Sequence, residues 1–454
     1  MAKGENLPVV DERAKIYTIF SRLYQKDVDT ILDKLQTKCS NVDFVGRDVI
    51  SQIKPVLEKI RNLKSDLDGM LVFGPYYDRK ITSIGLPVIM VNSVLRFGEW
   101  KQGISHFYEN EKVLTSTLCE HDISPSVASD RSDDLVGKIK LITALKKVKK
   151  SRLLNIESGD NTLQACEQKS DKPGDYRKVF FDNLKKIFGL EIKTILWNEF
   201  YKEIEKADEK AAEKIADRWI NEAKKVKETT KLEIVKVARL CLAAKKLMEQ
   251  FDCEAFTIRS WSGAWQNVKI MPPLAEMELA KEHKVASCES LIEVLLTQML
   301  VLYITGKPSF VGDTLGIDPI DEVIIHGHCY APINPHGDDR VPYIIRTHVH
   351  NSPSPGIWVE FPLNETVTGA KISLYNKKIS VYSGKTVSGR SLYKNFNNIA
   401  CRSKIVIKTN TKALLKNYDW STFGIHRVVF YGDFREEIKN LATLIGFKVI
   451  EEDK

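Results

Sequence analysis

Several features of secreted and membrane proteins are missing from this sequence. Its 454 residues include eight cysteines that are widely separated and form no CxxC pair, so neither a disulfide framework nor a structural zinc module is expected. No run of 18 apolar residues occurs, and the start lacks a basic segment followed by an apolar one. These absences predict a cytoplasmic protein with reduced thiols, no spanning helix and no membrane partner.

Common nucleotide-binding and hydrolase motifs are also absent. The chain has no G-x-S-x-G, no G-x-x-x-x-G-K-[ST] and no G-x-G-x-x-G that opens a helix. These absences argue against an α/β-type serine hydrolase, a P-loop NTPase and a dinucleotide enzyme.

Positive charge is in modest excess, with 68 basic against 60 acidic residues and a net charge of +8. Much of this excess lies in residues 138–152, where leucines and isoleucines recur at helical spacing. That spacing favours the solvated face of an amphipathic helix over a nucleic-acid surface. Aromatic residues interleave only weakly with the basic stretches, so no nucleic-acid partner is expected.

The first two thirds of the chain alternate helical and apolar β-prone segments. With 43% hydrophobic residues, the length suggests two to four domains with real cores. Residues 45–63 read as a helix, and residues 69–73 and 85–92 read as apolar strands. A strand at 152–156, a polar loop-like stretch at 157–176 and a helix-rich region to residue 251 follow. Short apolar strands between helices predict parallel sheets covered on both faces.

Beyond Pro332 the pattern changes to short β-prone runs separated by Asn, Gly and Ser-Pro. The predicted strands are 344–350, 356–361, 368–374, 378–382 and 399–408. This spacing predicts an antiparallel sandwich or barrel, followed by strand, helix and strand from residue 423 onward. We therefore predict an N-terminal α/β domain at 1–150, a central α/β domain with the site carboxylates at 151–330, and a β-rich domain at 331–454.

Glu289 is the first candidate site residue. It precedes an apolar helical run at 291–304, so it is expected near a helix N-terminus, where the helix dipole favours a carboxylate. Such a fixed anion suits a metal or a sugar hydroxyl. The alternative is that Glu289 only supports the helix start.

Asp313 lies between Gly312 and Gly316, after Pro308. This composition predicts a loop that a ligand approaches closely, and the alternative is an aspartate that caps a turn.

His326 and His328 end a predicted strand at 323–328. Two histidines at i and i+2 point to one face of a strand and suit a metal or a polarised oxygen, although histidines on strands are usually structural. A second pair, His348 and His350, either serves similarly or lines a surface of the β-rich region. Mixed oxygen and nitrogen ligands favour Mn²⁺, Mg²⁺ or Co²⁺ over structural zinc.

Three short motifs occur in a defined order in this region. They are Cys288-Glu289, the P-x-F-x-G-D sequence at 308–313, and His328-Cys329. Their order and spacing resemble the C-terminal pattern of the L-fucose and L-arabinose isomerase family. The resemblance covers about residues 180 to 450, with further similarity at 256–261, 369–372, 401–402 and 426–433, whereas the first 150 residues agree only in α/β character and in Gly-Leu-Pro-Val at 85–88.

This resemblance implies a fold, an activity and a set of site residues. The implied fold has two Rossmann-like α/β domains followed by an antiparallel β-barrel-like domain, assembled as a homo-oligomer, a trimer or a hexamer. The implied activity is metal-dependent aldose–ketose isomerisation of a small-molecule sugar through an ene-diol. The resemblance assigns Mn²⁺, or Mg²⁺ or Co²⁺, to Glu289, Asp313, His426 and His328, the acid and base roles jointly to Glu289 and Asp313, and substrate contacts to Arg259, Trp261 and His326.

One position departs from the family pattern. The family commonly has an acidic residue two positions after the glutamate of the first motif, and this chain has Leu291. Two alternatives therefore stay open: a non-catalytic sugar-binding protein on the same fold, and another metal-assisted carbonyl enzyme such as an epimerase or aldolase, because enolate stabilisation at a metal is common to these enzymes.

Overall fold

The computed structural model describes residues 13–50, 52–74, 80–93, 113–118, 132–157, 173–259, 269–348, 353–398 and 400–454. The chain divides into two compact units. One comprises Met1–Lys150 with Glu436–Lys448, and the other comprises Ser151–Arg435 with Val449–Lys454. The division into three domains stays a prediction.

The first unit contains a five-stranded parallel sheet in the order β2-β1-β3-β4-β5, an order known from doubly wound α/β folds. The strands are β1 (Ala14–Ser21), β2 (Val42–Ile50), β3 (Gly69–Phe73), β4 (Val88–Ser93) and β5 (Val113–Leu118). Its helices are α1 (Val28–Lys38), α2 (Ile53–Leu63) and α3 (Ser132–Lys150). Short 3-10 turns occur at Arg22–Tyr24, Lys64–Asp66 and Thr82–Ile84.

The predicted helix at 45–63 is wrong in its first part. Val42–Ile50 forms β2, an edge strand that is mostly half-buried, and the helix begins only at Ile53. Polar residues interrupt the apolar positions of β2 because an edge strand is incompletely covered, and this mixture hides the strand period. The basic run is helical as predicted: in α3, Leu135, Ile139 and Val148 are buried, whereas Lys140 and Lys147 are exposed.

The second unit contains a parallel sheet in the order β10-β9-β6-β7. Its strands are β6 (Arg152–Glu157), β7 (Glu191–Leu196), β9 (Ala255–Ile258) and β10 (Val285–Cys288). The helices of this region are α4 (Pro173–Asn183), α5 (Trp197–Lys206), α6 (Glu209–Glu222), α7 (Lys231–Gln250), α8 (Pro273–Lys281) and α9 (Ile292–Thr305), with a π-helical turn at Leu184–Phe188. Much of the predicted polar stretch at 157–176 lies outside the described residues.

A closed, six-stranded antiparallel barrel completes the second unit. The strand order is β15-β18-β11-β12-β17-β16, and pairing of β15 with β16 closes the ring. The strands are β11 (Phe310–Asp318), β12 (Val323–His328), β15 (Thr366–Ser373), β16 (Lys378–Val387), β17 (Ser403–Lys408) and β18 (His426–Tyr431). The predicted fold class, α/β with parallel sheets and an antiparallel barrel toward the C-terminus, is confirmed. The barrel also uses β11 and β12, which precede residue 331.

The remaining described elements are a small sheet, one further strand and four helices, of which the last, at Arg435–Ile445, belongs almost wholly to the first unit. A small sheet has the order β14-β13-β8, and β19 pairs with β16. The strands are β8 (Lys225–Val226), β13 (Tyr343–Thr347), β14 (Pro355–Val359) and β19 (Lys448–Glu451), and the helices are α10 (Gly389–Leu392), α11 (Thr411–Asn417), α12 (Trp420–Phe423) and α13 (Arg435–Ile445), with a 3-10 turn at Phe396–Asn398. Among the helices within the described ranges, none combines the length and the apolar character needed to cross a bilayer.

Candidate active site

Glu289 lies at the carboxyl edge of the parallel sheet of the second unit, immediately after β10. Its backbone N–H donates to the Ile258 carbonyl at 2.8 Å, and the Ser290 N–H donates to Thr257 Oγ1 at 3.0 Å. Both Glu289 (φ 79°) and Ser290 (φ 56°) have left-handed backbone conformations. Such conformations are costly for residues other than glycine and cluster at functional sites. Helix α9 begins shortly afterwards, with Leu291 as its N-cap, so Glu289 lies near a helix N-terminus as predicted.

Arg259 lies at the same sheet edge, because β9 neighbours β10 and runs parallel to it. Its N–H donates to the Ile156 carbonyl at 3.0 Å, which continues the pairing of β9 with β6. Polar residues that follow parallel strands at one edge are well placed to contact a ligand. Trp261, the neighbouring predicted substrate contact, lies outside the described residues.

Asp313 belongs to the barrel and not to a loop, so that part of its prediction is wrong. It lies within β11, opposite His426 of β18 and Gly327 of β12. Its Oδ1 lies 2.9 Å from His426 Nε2. The glycine before it reflects barrel packing: a Cβ at Gly312 would come within 2.7 Å of the His326 Cβ. The P-x-F-x-G-D sequence therefore marks a crowded strand.

Two histidines from the barrel face the Glu289 carboxylate. His328 Nε2 lies 3.9 Å from Glu289 Oε1, and His426 Nε2 lies 3.7 Å from Glu289 Oε2. The two rings are 5.5 Å apart. Their side chains are only 2% and 3% exposed, against 24% for Glu289 and 23% for Asp313. The accessible side of the cluster is therefore its carboxylate side.

His326 has different neighbours from His328. Its Nε2 hydrogen-bonds with Tyr382 Oη at 2.6 Å, and its Nδ1 hydrogen-bonds with Thr314 Oγ1 at 3.2 Å. Both ring nitrogens are thus engaged by barrel side chains, the arrangement of a structural histidine. The predicted substrate contact of His326 stays a prediction that these bonds do not favour.

The second predicted histidine pair is only partly described. His348 follows β13 and is buried, and its proximity helps to lower the pKa of the Cys329 thiol. His350 lies outside the described residues.

Burial controls the charge states of this cluster. Burial, with help from the positive charge of Arg427, lowers the pKa of His426 to about 3, so its ring is neutral at physiological pH. Burial raises the pKa of Asp313. Burial opposes a charged His328, but the Cys329 thiolate and the neighbouring carboxylates outweigh it and raise the pKa of His328 to about 10. A neutral imidazole is the metal-binding form of histidine, so a metal at His328 would displace a proton.

The residues present fit a divalent metal ion. Glu289, His328 and His426 each offer a ligand atom, and these atoms lie within 4.8 Å of one another. Asp313 adjoins them through His426. Ligand atoms about 2.1 Å from an ion are spaced by about 3.0 Å in an octahedron and about 3.4 Å in a tetrahedron. The observed spacing of 2.9 Å already matches the octahedral edge, whereas the spacings of 3.7 and 3.9 Å would contract by less than about 1 Å.

Sequence reasoning assigned no role to a buried thiol pair and a buried carboxylate beside the cluster. Cys288 Sγ lies 3.8 Å from Cys329 Sγ and 3.6 Å from both ring nitrogens of His328. Glu276 of α8 is fully buried, and neither of its carboxyl oxygens has a hydrogen-bond partner among the described residues. Burial and the negative charge of Cys329 hold the pKa of Glu276 well above its usual range. The sequence does contain a signal for Glu276, because it is the one acidic residue in the otherwise apolar run at 270–277.

A buried ion pair supports the strand that presents His426. Arg427 is fully buried and donates to Glu452 from Nη2 at 2.7 Å and from Nε at 3.1 Å. Its guanidinium also lies 4.1 Å from the centre of the Tyr418 ring. This two-point pairing fixes β18 while His426 faces the cluster.

Comparison with known proteins agrees with the resemblance carried by the motifs. No family model matches the chain. Two similar proteins, from Priestia aryabhattai and Priestia megaterium, are both named sulfoquinovose isomerase. Each is 21% identical to this chain over 322 residues, which cover 66% of this chain and 68% of the relative. The chain is similar to sugar isomerases. This similarity concerns the class of enzyme and assigns no substrate.

Proposed function

We propose that the protein is a metal-dependent aldose–ketose isomerase. One observation carries the proposal: the residues of the three sequence motifs converge with His426. Glu289 comes from the parallel sheet, and Asp313, His328 and His426 come from three neighbouring barrel strands. The similarity to two sulfoquinovose isomerases supports the same class of reaction.

Glu289, Asp313, His328 and His426 would hold the metal, with Mn²⁺ as the proposed ion and Mg²⁺ or Co²⁺ as alternatives. Carboxylate oxygens with imidazole nitrogens suit these ions. When bound, the ion would supply a Lewis acid that polarises the sugar carbonyl and stabilises negative charge on oxygen. His426 is suited to ligation because burial keeps its ring neutral.

Glu289 and Asp313 are the proposed acid and base of a proton shift between C1 and C2 of an open-chain sugar. One carboxylate takes the proton from carbon, and the other exchanges a proton with the sugar oxygen, which gives an ene-diol. The raised pKa of the Asp313 carboxyl, caused first by burial, brings this group closer to the pH at which it must exchange protons. The buried histidines behind the carboxylates limit the access of water from that side.

Arg259 is the proposed substrate contact with the best structural support, because it follows the strand beside the one that presents Glu289. Sulfoquinovose is the first aldose to test, since the two similar proteins are named for it. L-fucose and L-arabinose follow from the resemblance of the motifs.

The test is ketose formation by metal-stripped protein, with and without added Mn²⁺, on a panel of aldoses followed by NMR. Product that depends on metal and keeps the carbon count supports the proposal. Epimer or cleavage products would instead identify another metal-assisted carbonyl enzyme.

A non-catalytic sugar-binding protein is the second candidate. Leu291 favours it: this buried residue stands where the family commonly has an acid. Stoichiometric metal uptake and sugar binding without turnover on the panel would identify this second function and overturn the first.

We also propose a homo-oligomer, a trimer or a hexamer, on the strength of the family resemblance alone. Light scattering coupled to gel filtration measures the mass of the assembly, and a monomeric mass would contradict this part of the proposal.

A further inference from the structure

Cys288, His328 and Cys329 form a compact buried group next to the candidate active site. Cys288 ends β10 of the parallel sheet, and Cys329 follows β12 of the barrel, 41 residues later. The two sulfurs are 3.8 Å apart, and each lies 3.6 Å from His328 Nδ1. The side chains are 1–5% exposed. Three soft ligand atoms thus converge on one small volume.

These three spacings match the edges of a tetrahedron around a thiophilic ion. Zinc binds thiolate sulfur at about 2.3 Å and imidazole nitrogen at about 2.0 to 2.1 Å. At a tetrahedral angle, these bond lengths give a sulfur–sulfur edge of about 3.8 Å and a sulfur–nitrogen edge of about 3.6 Å. The protein therefore presents two thiols and a ring nitrogen at the required separations.

Glu276 is a second and independent observation at the same place. The residue is fully buried, and neither carboxyl oxygen has a hydrogen-bond partner within the described part of the chain. The charges that act on it are those of Cys329, His328 and Glu289, which places it near this group. A buried carboxyl without a partner is costly, and such groups are normally paired or coordinate a metal.

We propose that Cys288, His328 and Cys329 form a binding site for a thiophilic divalent ion such as Zn²⁺, with the buried carboxyl of Glu276 as a neighbouring group that stabilises the bound ion. The ion replaces the thiol proton of Cys288 and the proton of the His328 ring, which are released to solvent, while Cys329 binds as the thiolate and His328 binds through Nδ1. This site is chemically distinct from the cluster of Glu289, Asp313 and His426, which offers oxygen and imidazole ligands suited to harder ions. The two sites share His328, because its Nε2 faces Glu289.

Sharing His328 gives the site a consequence for catalysis. This consequence rests on the proposed function. An ion bound to the two thiols would draw His328 away from the carboxylate cluster. We therefore expect micromolar Zn²⁺ to inhibit the turnover that Mn²⁺ supports. The Cys329→Ser variant, which keeps the carboxylate cluster, would lose this sensitivity.

Titration of the metal-free protein with Co²⁺ tests the site without any measurement of turnover. Cobalt bound by thiolates gives intense ligand-to-metal charge-transfer absorption in the near ultraviolet, whereas cobalt bound only by oxygen and nitrogen does not. We expect this absorption in the wild-type protein and its displacement by Zn²⁺. Its absence from the wild-type protein with cobalt bound would overturn the proposal, whatever the variants do.

The variants then assign the ligands. Cys288→Ser and Cys329→Ser should each weaken the absorption, the double variant should abolish it, and Glu276→Gln should weaken Zn²⁺ affinity by about 10- to 100-fold. Cys253→Ser is the matched control, because Cys253 is buried but contacts the Phe251 carbonyl. Asp313→Asn should retain the absorption, which separates this site from the carboxylate cluster. A thiolate band that survives in the double cysteine variant would also overturn the assignment, and a failed isomerase assay would leave these results unaffected.

Discussion

The parallel sheet and the barrel of the second unit contribute to the candidate site in different ways. The barrel supplies Asp313, His328 and His426 from adjacent strands, where the ladder places Asp313 opposite His426. The sheet supplies Glu289 from a left-handed turn anchored by backbone contacts to the neighbouring strand. Strand register therefore fixes the barrel side chains of the candidate site, whereas a strained turn fixes Glu289. Substitutions in the barrel and in the sheet should therefore differ in their effects on turnover and on stability.

Helix α9 connects the two halves, because it follows the Glu289 turn and packs on the barrel. Its buried Glu293 accepts a hydrogen bond at Oε1 from the N–H of Leu374, just after β15, at 2.6 Å. Thr297 Oγ1 accepts another from the N–H of Ile372 at 3.2 Å. The position of Glu289 relative to the barrel therefore depends on this helix.

The largest effect is expected from Asp313→Asn in the barrel half. The amide preserves the shape of the side chain but removes its charge and its basicity, so we expect kcat to fall by about 10³-fold with the fold retained. Circular dichroism and steady-state kinetics measure the two effects. Asp318→Asn, in the same strand but bonded to Tyr393, is the control. Equal turnover in the two variants would remove Asp313 from the site.

The next effect concerns pH and the connecting helix. Burial, opposed by Lys371 and by the Leu374 N–H, raises the pKa of Glu293 to about 7 from 4.5. The folded state therefore retains a proton that the unfolded chain releases, and stability falls as pH rises from about 4.5 to about 7, by about 3 kcal/mol in total. Glu293→Gln should lack this decline in urea unfolding measured across the same pH range.

Glu249→Gln, at an exposed position of α7, is the control for the Glu293 experiment. Identical pH profiles of stability for wild-type and Glu293→Gln protein would show that Glu293 does not hold its proton in the folded state.

Gly312→Ala tests the packing of the barrel half. The added Cβ would meet the His326 Cβ at 2.7 Å and the Gly327 nitrogen at 3.3 Å, so we expect a loss of about 2 kcal/mol of stability from overpacking. Gly316→Ala is a matched control in the same strand, because its Cβ would meet nothing within 4 Å. Chemical denaturation compares them, and equal losses would contradict the crowding argument.

Ser290→Gly tests the strained turn of the sheet half and has the smallest expected effect. Glycine adopts the left-handed conformation without a steric cost, and the change also removes a buried hydroxyl that has no hydrogen-bond partner among the described residues. We expect a gain of about 0.5 to 1 kcal/mol. Ser287→Gly, in extended β10, should instead destabilise the protein. Losses of similar size in both variants would show that the turn stores no strain.

Local pattern predicted the elements well where turn residues separate short β-prone runs. The five predicted strands beyond Pro332 all have counterparts in the structure, because Asn, Gly and Ser-Pro mark the breaks between them. The position of Glu289 near the start of a helix could also be predicted, because an apolar helical run follows it. Strand β2 was not recognised, because it lies at a sheet edge and mixes polar with apolar residues.

The geometry of the candidate site could be predicted only in part, because it depends on contacts between residues that are far apart in the sequence. Gly312 and Gly316 suggested a loop at Asp313, but the reason for Gly312 is the His326 side chain on the neighbouring strand. Alternation placed His326 and His328 on one face, yet it could not show that Tyr382 would engage His326. The approach of Cys288 to Cys329 likewise depends on how the sheet meets the barrel, which no local pattern encodes.

The position of β18 between β11 and β15 has a consequence for synthesis of the protein. Strands β11 and β12 leave the ribosome about one hundred residues before β18 does, so the growing chain holds an open barrel with two unpaired strand edges. Unpaired edges invite pairing with other chains, and closing a ring with a late, distant strand is slow. Because that late strand carries His426, a nascent chain cannot complete the candidate site early, and its exposure to mispairing is greatest just before β18 inserts.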